Sequence, residues 1–218
     1  MDTSSNILLS NLIKIRWIAI LGQLIATIIV YFYLNIKIPI FACLCIIFIS
    51  SLINAYSYLT NNNNNYLSEK DTFFFLIFDT IQLGVLLYFT GGIYNPFSLL
   101  LIAPLVISAS YLPIFFSLCL LFLSICIVIL ISNFYFFIDW NENFEVPFLY
   151  KFAIILSLII SLSFIFIYVY LFANSSRKIS KVLSDTKSAL DNQKQISEIG
   201  SLSAAAVHEL STPLNTIF

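Results

Sequence analysis

Six stretches of nearly unbroken apolar residues, followed by an abrupt change to charged sequence after Ala173, leave this chain few folds to choose from. The stretches are Trp17–Ile36, Ile38–Leu59, Thr72–Thr90, Phe97–Leu112, Pro113–Ile138 and Phe148–Phe172. A helix needs about 20 apolar residues to cross about 30 Å of hydrocarbon. The expectation is therefore an all-α, polytopic membrane protein with six transmembrane helices. The fourth stretch has only 16 residues and joins the fifth tightly at Leu112–Pro113, so a five-span count is the alternative. Composition agrees with a home in lipid: 60 % of residues are hydrophobic and 10 % charged, where soluble domains carry about 25 % charge. The net charge of −1 gives no bulk attraction to nucleic acid, and no direct nucleic-acid partner is expected.

Seven of the 21 charged residues fall between Arg177 and Lys194. The domain boundary is therefore placed at 1–173 for the membrane domain and 174–218 for a cytoplasmic segment. Lys14 and Arg16 precede the first span, Lys70 lies in the second loop, and Arg177, Lys178 and Lys181 follow the last span. Cytoplasmic flanks carry the excess of Lys and Arg, so both termini are expected inside. Five spans would put the Arg177 cluster outside. The first apolar run is too long for a cleaved signal peptide and reads as a retained anchor. Cys43, Cys45, Cys119 and Cys126 all lie in apolar runs without metal-ligand spacing and read as small hydrophobes. No metal site is expected.

From Asn174 the pattern becomes helical. One heptad register runs Ile179, Val182, Thr186, Ala189, Gln193, Ile196, Gly200, Ser203, Val207, Leu210, Leu214 and Ile217, apolar at its ends and weak in its middle. A second register, Ile179, Leu183, Thr186 and Leu190, fits the first stretch as well. This predicts a dimerising coiled coil that enters a helical bundle with a shift of packing.

His208 is the single histidine, within Ala204-Ala-Ala-Val-His-Glu-Leu-Ser-Thr-Pro-Leu-Asn-Thr-Ile217. In the long register it sits one step off the seam, where an imidazole is held by a helix yet open to an approaching phosphate. The adjacent Glu209 carboxylate can accept from one ring nitrogen and sharpen the other as a nucleophile. Pro213 removes a helical hydrogen bond and is expected to bend the helix beyond the histidine.

The loop Thr90-Gly-Gly-Ile-Tyr-Asn-Pro-Phe97 has two readings. Gly91 and Gly92 suit a helix stop, Asn95 an N-cap and Pro96 a first turn. The same geometry offers backbone N–H groups, the Asn95 amide and the faces of Phe89, Tyr94 and Phe97, which are the parts needed to hold a quinone ring. Within the third span, Asp79 and Gln82 share a helix face. An ionisable residue at that depth is a functional candidate, or else an interhelical polar contact. Asp79 is about three turns from the loop, so direct contact with a headgroup there is not expected.

The string His-Glu-x-x-Thr-Pro-Leu-x-x-Ile resembles the H-box of sensor histidine kinases. With Ile15-Arg-Trp-Ile-Ala-Ile-Leu-Gly-Gln23 and the heptapeptide Gly91-Gly-Ile-Tyr-Asn-Pro-Phe97, in the right order, the whole chain resembles the RegB/PrrB/ActS family of redox-sensing histidine kinases. That resemblance implies six membrane helices before a cytoplasmic kinase in the bacterial inner membrane. It implies autophosphorylation at His208, Glu209 as acid/base partner and Thr212 in dephosphorylation of the response regulator. It implies ubiquinone or a related quinone at Gly91, Gly92, Asn95, Pro96 and Phe97, with the oxidised form lowering kinase activity. The implied partners are a second copy of the chain, membrane lipid and a cognate DNA-binding response regulator. The sequence stops ten residues past His208, without a nucleotide lid or ATP-binding domain. ATP and Mg would act only through that missing domain, and the chain alone is expected to be inactive. The alternative function is a polytopic quinone-binding or transport protein without kinase chemistry, which internal repeats and broken helices would favour.

Overall fold

Helix starts and stops in the computed structural model follow local chemistry. It describes residues 9–60, 68–136 and 147–214, with the side chains of all but 9–11, 60 and 204–214. Helix α1 covers Leu9–Ile28 and loosens into a π-helical turn at Ile29–Tyr33. Then come α2 (Ile40–Thr60), α3 (Glu69–Phe89), α4 (Ile102–Tyr111), α5 (Ile114–Asn133) and α6 (Phe148–Leu214). Two 3-10 stretches, Gly92–Tyr94 and Pro96–Leu101, join α3 to α4. No strand occurs among the described residues. Ser68 caps α3, its side chain accepting from the Asp71 N–H, while Glu69 and Asp71 complement the helix dipole in the first turn.

Five helices are long and apolar enough to cross a membrane. The first apolar helix long enough to cross covers Leu12–Tyr33 rather than Trp17–Ile36, so Lys14 and Arg16, expected on its flank, both fall within it. The expected fourth span takes another form. Its apolar helix is Pro96–Tyr111, shorter than the others and 3-10 over its first six residues. A 3-10 helix rises about 2.0 Å per residue against about 1.5 Å for an α-helix, so this segment reaches about 27 Å.

The packing shows how far it reaches. At one end of α3, the Phe136 N–H donates to the Tyr88 carbonyl at 2.8 Å, placing the end of α5 beside the end of α3. At the other end, Leu112, between α4 and α5, packs with Leu12, Leu76 and Leu120, and the Phe73 and Phe116 rings meet at 4.8 Å. The α4–α5 hairpin therefore runs the length of α3. A central cluster joins Leu83 and Leu87 of α3 to Leu105 of α4, Val128 of α5 and Leu162 of α6. Small residues let the backbones approach, as membrane helices require. Ser108, Ser117 and Ser124 are fully buried, and the Ser117 hydroxyl donates to the Ser108 carbonyl at 2.9 Å.

Contacts divide the chain into Met1–Ala173 and Asn174–Phe218. In the second unit, every described side chain from residue 178 to 203 is exposed. These include Ile179, Val182, Leu183, Leu190, Ile196, Ile199 and Leu202.

Candidate functional site

The α3–α4 connection is built around two residues in left-handed backbone. Gly91 has φ 99° and Gly92 φ 64°. A Cβ on Gly92 would also lie 2.5 Å from the Ile131 carbonyl oxygen and 2.7 Å from the Tyr135 Cβ. Glycine is needed there both for its conformation and for the closeness of α5.

Asn95 closes the turn in both directions. Its Nδ2 donates to the Thr90 carbonyl at 3.1 Å and to the Thr90 hydroxyl at 2.6 Å. Its Oδ1 accepts from the Phe97 N–H at 2.8 Å, with Pro96 in the first turn beyond it. The Thr90 hydroxyl in turn donates to the Leu86 carbonyl. The Asn95 amide N–H groups are thus engaged within the loop, and its side-chain oxygen serves as the N-cap that the sequence suggested. Gly91 and Gly92 are buried, whereas Pro96 and Phe97 are exposed. The Tyr94 ring meets Tyr135 edge-on at 5.6 Å. Burial first, and then Tyr135, hold the Tyr94 phenol above its ordinary value, so it remains a neutral O–H group.

A second polar group lies deeper. Arg16 Nε of α1 donates to Asp79 Oδ1 of α3 at 3.0 Å, with the arginine side chain 5 % and the aspartate 20 % exposed. The guanidinium carbon stands 5.2 Å from the Phe75 ring centroid and 5.6 Å from that of Phe78. One turn along α3, Gln82 Nε2 donates to Gln23 Oε1 of α1 at 2.9 Å. Arg16 Nη2 is buried without a hydrogen-bond partner. Sequence reasoning singled out Asp79 and Gln82 but missed their partners, because Arg16 read as a flanking charge. The signal available was Arg16 and Gln23 lying seven residues, or two turns, apart on α1.

Both groups face one cavity of about 2540 Å³, lined by Arg16, Gln23, Asp79 and Gln82 at depth and by Asn95 and Phe97 at the loop. Asp79 precedes Thr90 by eleven positions, about 16 Å of helix. Tyr150, Ile154 and Leu158 of α6 complete the wall. His208, Glu209 and Thr212 lie on the helical backbone of α6, but their side chains fall outside the described residues. The four cysteines are unbridged. Among the described residues, no group of three or more His, Cys, Asp or Glu stands together as a metal site requires.

These features define a class: a helical membrane protein with several helices long and apolar enough to cross a membrane, a large cavity among them, and a last apolar helix that continues into a polar stretch bearing a histidine. The chain is 33 % identical over 211 residues to the sensor histidine kinase RegB of Cereibacter sphaeroides, a match covering 96 % of this chain and 46 % of the relative. RegB of the C. sphaeroides strain ATCC 17023 matches to the same extent. Over almost its whole length the chain is similar to the N-terminal half of a RegB-type sensor kinase. It spans about half the length of the curated relatives it matches. No protein-family model matches the chain, and no solved structure matches it.

Proposed function

We propose that this chain is the sensor and phosphoacceptor portion of a redox-responsive histidine kinase, with ubiquinone or a related quinone in the membrane cavity and His208 as the phosphorylated residue. The observation that carries the proposal is helical continuity. The helix that lines the cavity through Tyr150, Ile154 and Leu158 is the helix that carries His208. A ligand that changes how α6 packs there acts on the element that presents the imidazole. Quinone and quinol differ in what they offer: both accept at two oxygens, and the quinol also donates two O–H groups. Gly91 and Gly92 shape the mouth, Pro96 and Asn95 hold its turn, and Phe97 and Tyr94 present ring faces. Glu209 serves as the acid/base partner and Thr212 supports dephosphorylation of the response regulator.

The proposed topology has six crossings with both termini in the cytoplasm of a bacterial inner membrane. The reach of Pro96–Tyr111, about 27 Å, and its course along the whole of α3 support the sixth crossing. A second copy of the chain covers the exposed apolar residues of α6 in a parallel coiled coil.

The test places the chain in nanodiscs with a RegB-type kinase domain supplied in trans and ATP. Label is expected on His208 in acid-labile form, absent in His208→Gln, slower in Glu209→Ala, and responsive to the oxidation state of added ubiquinone. Label surviving His208→Gln rejects the phosphoacceptor. Label indifferent to quinone rejects the sensor.

A further inference from the structure

At the loop end of the cavity, donors are already spent on the loop itself. The Tyr94, Asn95 and Ser98 N–H groups donate to the carbonyls of Gly91, Gly92 and Asn95 at 3.3, 3.2 and 2.9 Å. The Phe97 N–H donates to Asn95 Oδ1, and the Asn95 amide meets Thr90. Pro96 has no N–H to give. A carbonyl seated at this loop therefore needs a donor from another part of the chain. Tyr135 is placed to supply one. It lies two residues beyond α5, lines the cavity beside Tyr94, Asn95 and Phe97, and is half-buried. Among the described residues nothing hydrogen-bonds to its hydroxyl, and that oxygen is not enclosed.

The loop holds the Tyr135 ring in place. Gly92 leaves it room, since a Cβ there would stand 2.7 Å from the Tyr135 Cβ and 3.0 Å from its Cγ. The Tyr94 ring meets it edge-on at 5.6 Å. The next residue is tied down as well, with the Phe136 N–H donating to the Tyr88 carbonyl at 2.8 Å. A phenol fixed in this way gives up little freedom when it gains a partner.

We infer that the Tyr135 phenol donates its O–H to a carbonyl oxygen of the ring seated at the α3–α4 loop. The inference rests on the reading that a quinone sits there, and it adds a binding residue outside Gly91–Phe97. Phe97 and Tyr94 supply ring faces, and Tyr135 supplies the directional bond that fixes one carbonyl. A phenol both donates and accepts, so the same group serves the carbonyl of a quinone and the O–H of a quinol. Gly92 then has a second task beside its turn, which is to seat the residue that holds the ligand.

The experiment uses the whole chain in nanodiscs and a short-chain ubiquinone as probe. Affinity is read by equilibrium binding against empty nanodiscs, and the bond itself from the infrared carbonyl stretch of bound ubiquinone. Tyr135→Phe keeps the ring and its contact with Tyr94 and removes only the hydroxyl. It should weaken binding of ubiquinone and of its quinol roughly fivefold, and move the carbonyl stretch toward its value in lipid. A carbonyl band that stays in its wild-type place in Tyr135→Phe overturns the hydrogen bond, whatever the affinity does, and leaves the quinone reading standing. A wild-type protein that binds no ubiquinone overturns both.

Discussion

Two residues show how strongly single side chains are constrained in the membrane domain. Gly92 combines positive φ with a backbone oxygen 2.5 Å from where a Cβ would stand. Gly92→Ala should lower stability by about 2 kcal/mol or more, because strain and clash add. A lower melting temperature of the detergent-solubilised protein checks this, and an unchanged one rejects the left-handed turn. At Asp79, removal of the carboxylate leaves Arg16 charged and unpaired in the bundle. Asp79→Leu should cost about 3 kcal/mol. The double variant Arg16→Leu/Asp79→Leu should be less damaged than Asp79→Leu alone, since an apolar pair asks for no compensation. Additive losses in that cycle would mean that the two side chains do not interact.

At the level of elements, the departures from the expected spans have local causes. Asn95 and Pro96 start a helix that must leave a glycine-rich stop and turn back along α3, and the tight 3-10 winding of Pro96–Leu101 extends a segment otherwise short for a crossing. Helix α6 raises a different question. Beyond Arg177 it carries Ile179, Leu183 and Leu190 at 68 %, 69 % and 58 % exposure, more apolar surface than an isolated helix in water can support. The proposed pairing with a second copy would cover it. Single cysteines placed from Ile179 to Ile196, in a background without the four native ones, should crosslink with maxima every three to four residues. A flat profile would dismiss the coiled coil.

For the whole molecule, charge placement carries the proposed topology. With Lys14 and Arg16 both inside the first candidate span, the inside tally keeps Lys70, Arg177, Lys178 and Lys181 on the proposed cytoplasmic side. Six crossings follow if α4 counts as one, and five would place the charged stretch outside against the positive-inside rule. Asp185→Cys in the cysteine-free background should react with an impermeant thiol reagent only after the membrane is opened. Reaction from the outer face of intact cells would reverse the orientation of α6.

Much was legible from sequence alone, because lipid imposes a crude and general demand. Runs such as Ile114–Asn133 have to be helices wherever they pack, and Gly-Gly-x-x-Asn-Pro has to stop one helix and start another on backbone grounds. The H-box and heptapeptide carried the resemblance to RegB-type kinases without any structure. Three-dimensional packing decided the rest, since partnership between helices leaves no local trace. Arg16 looked like a flank until α1 lay against α3 and set it 3.0 Å from Asp79. Asn95 read both as a helix cap and as a ligand donor, and only the turn showed that its amide meets Thr90. Polar groups in a bundle are satisfied by whichever neighbour the fold delivers, and residues 63 positions apart met only when the chain packed.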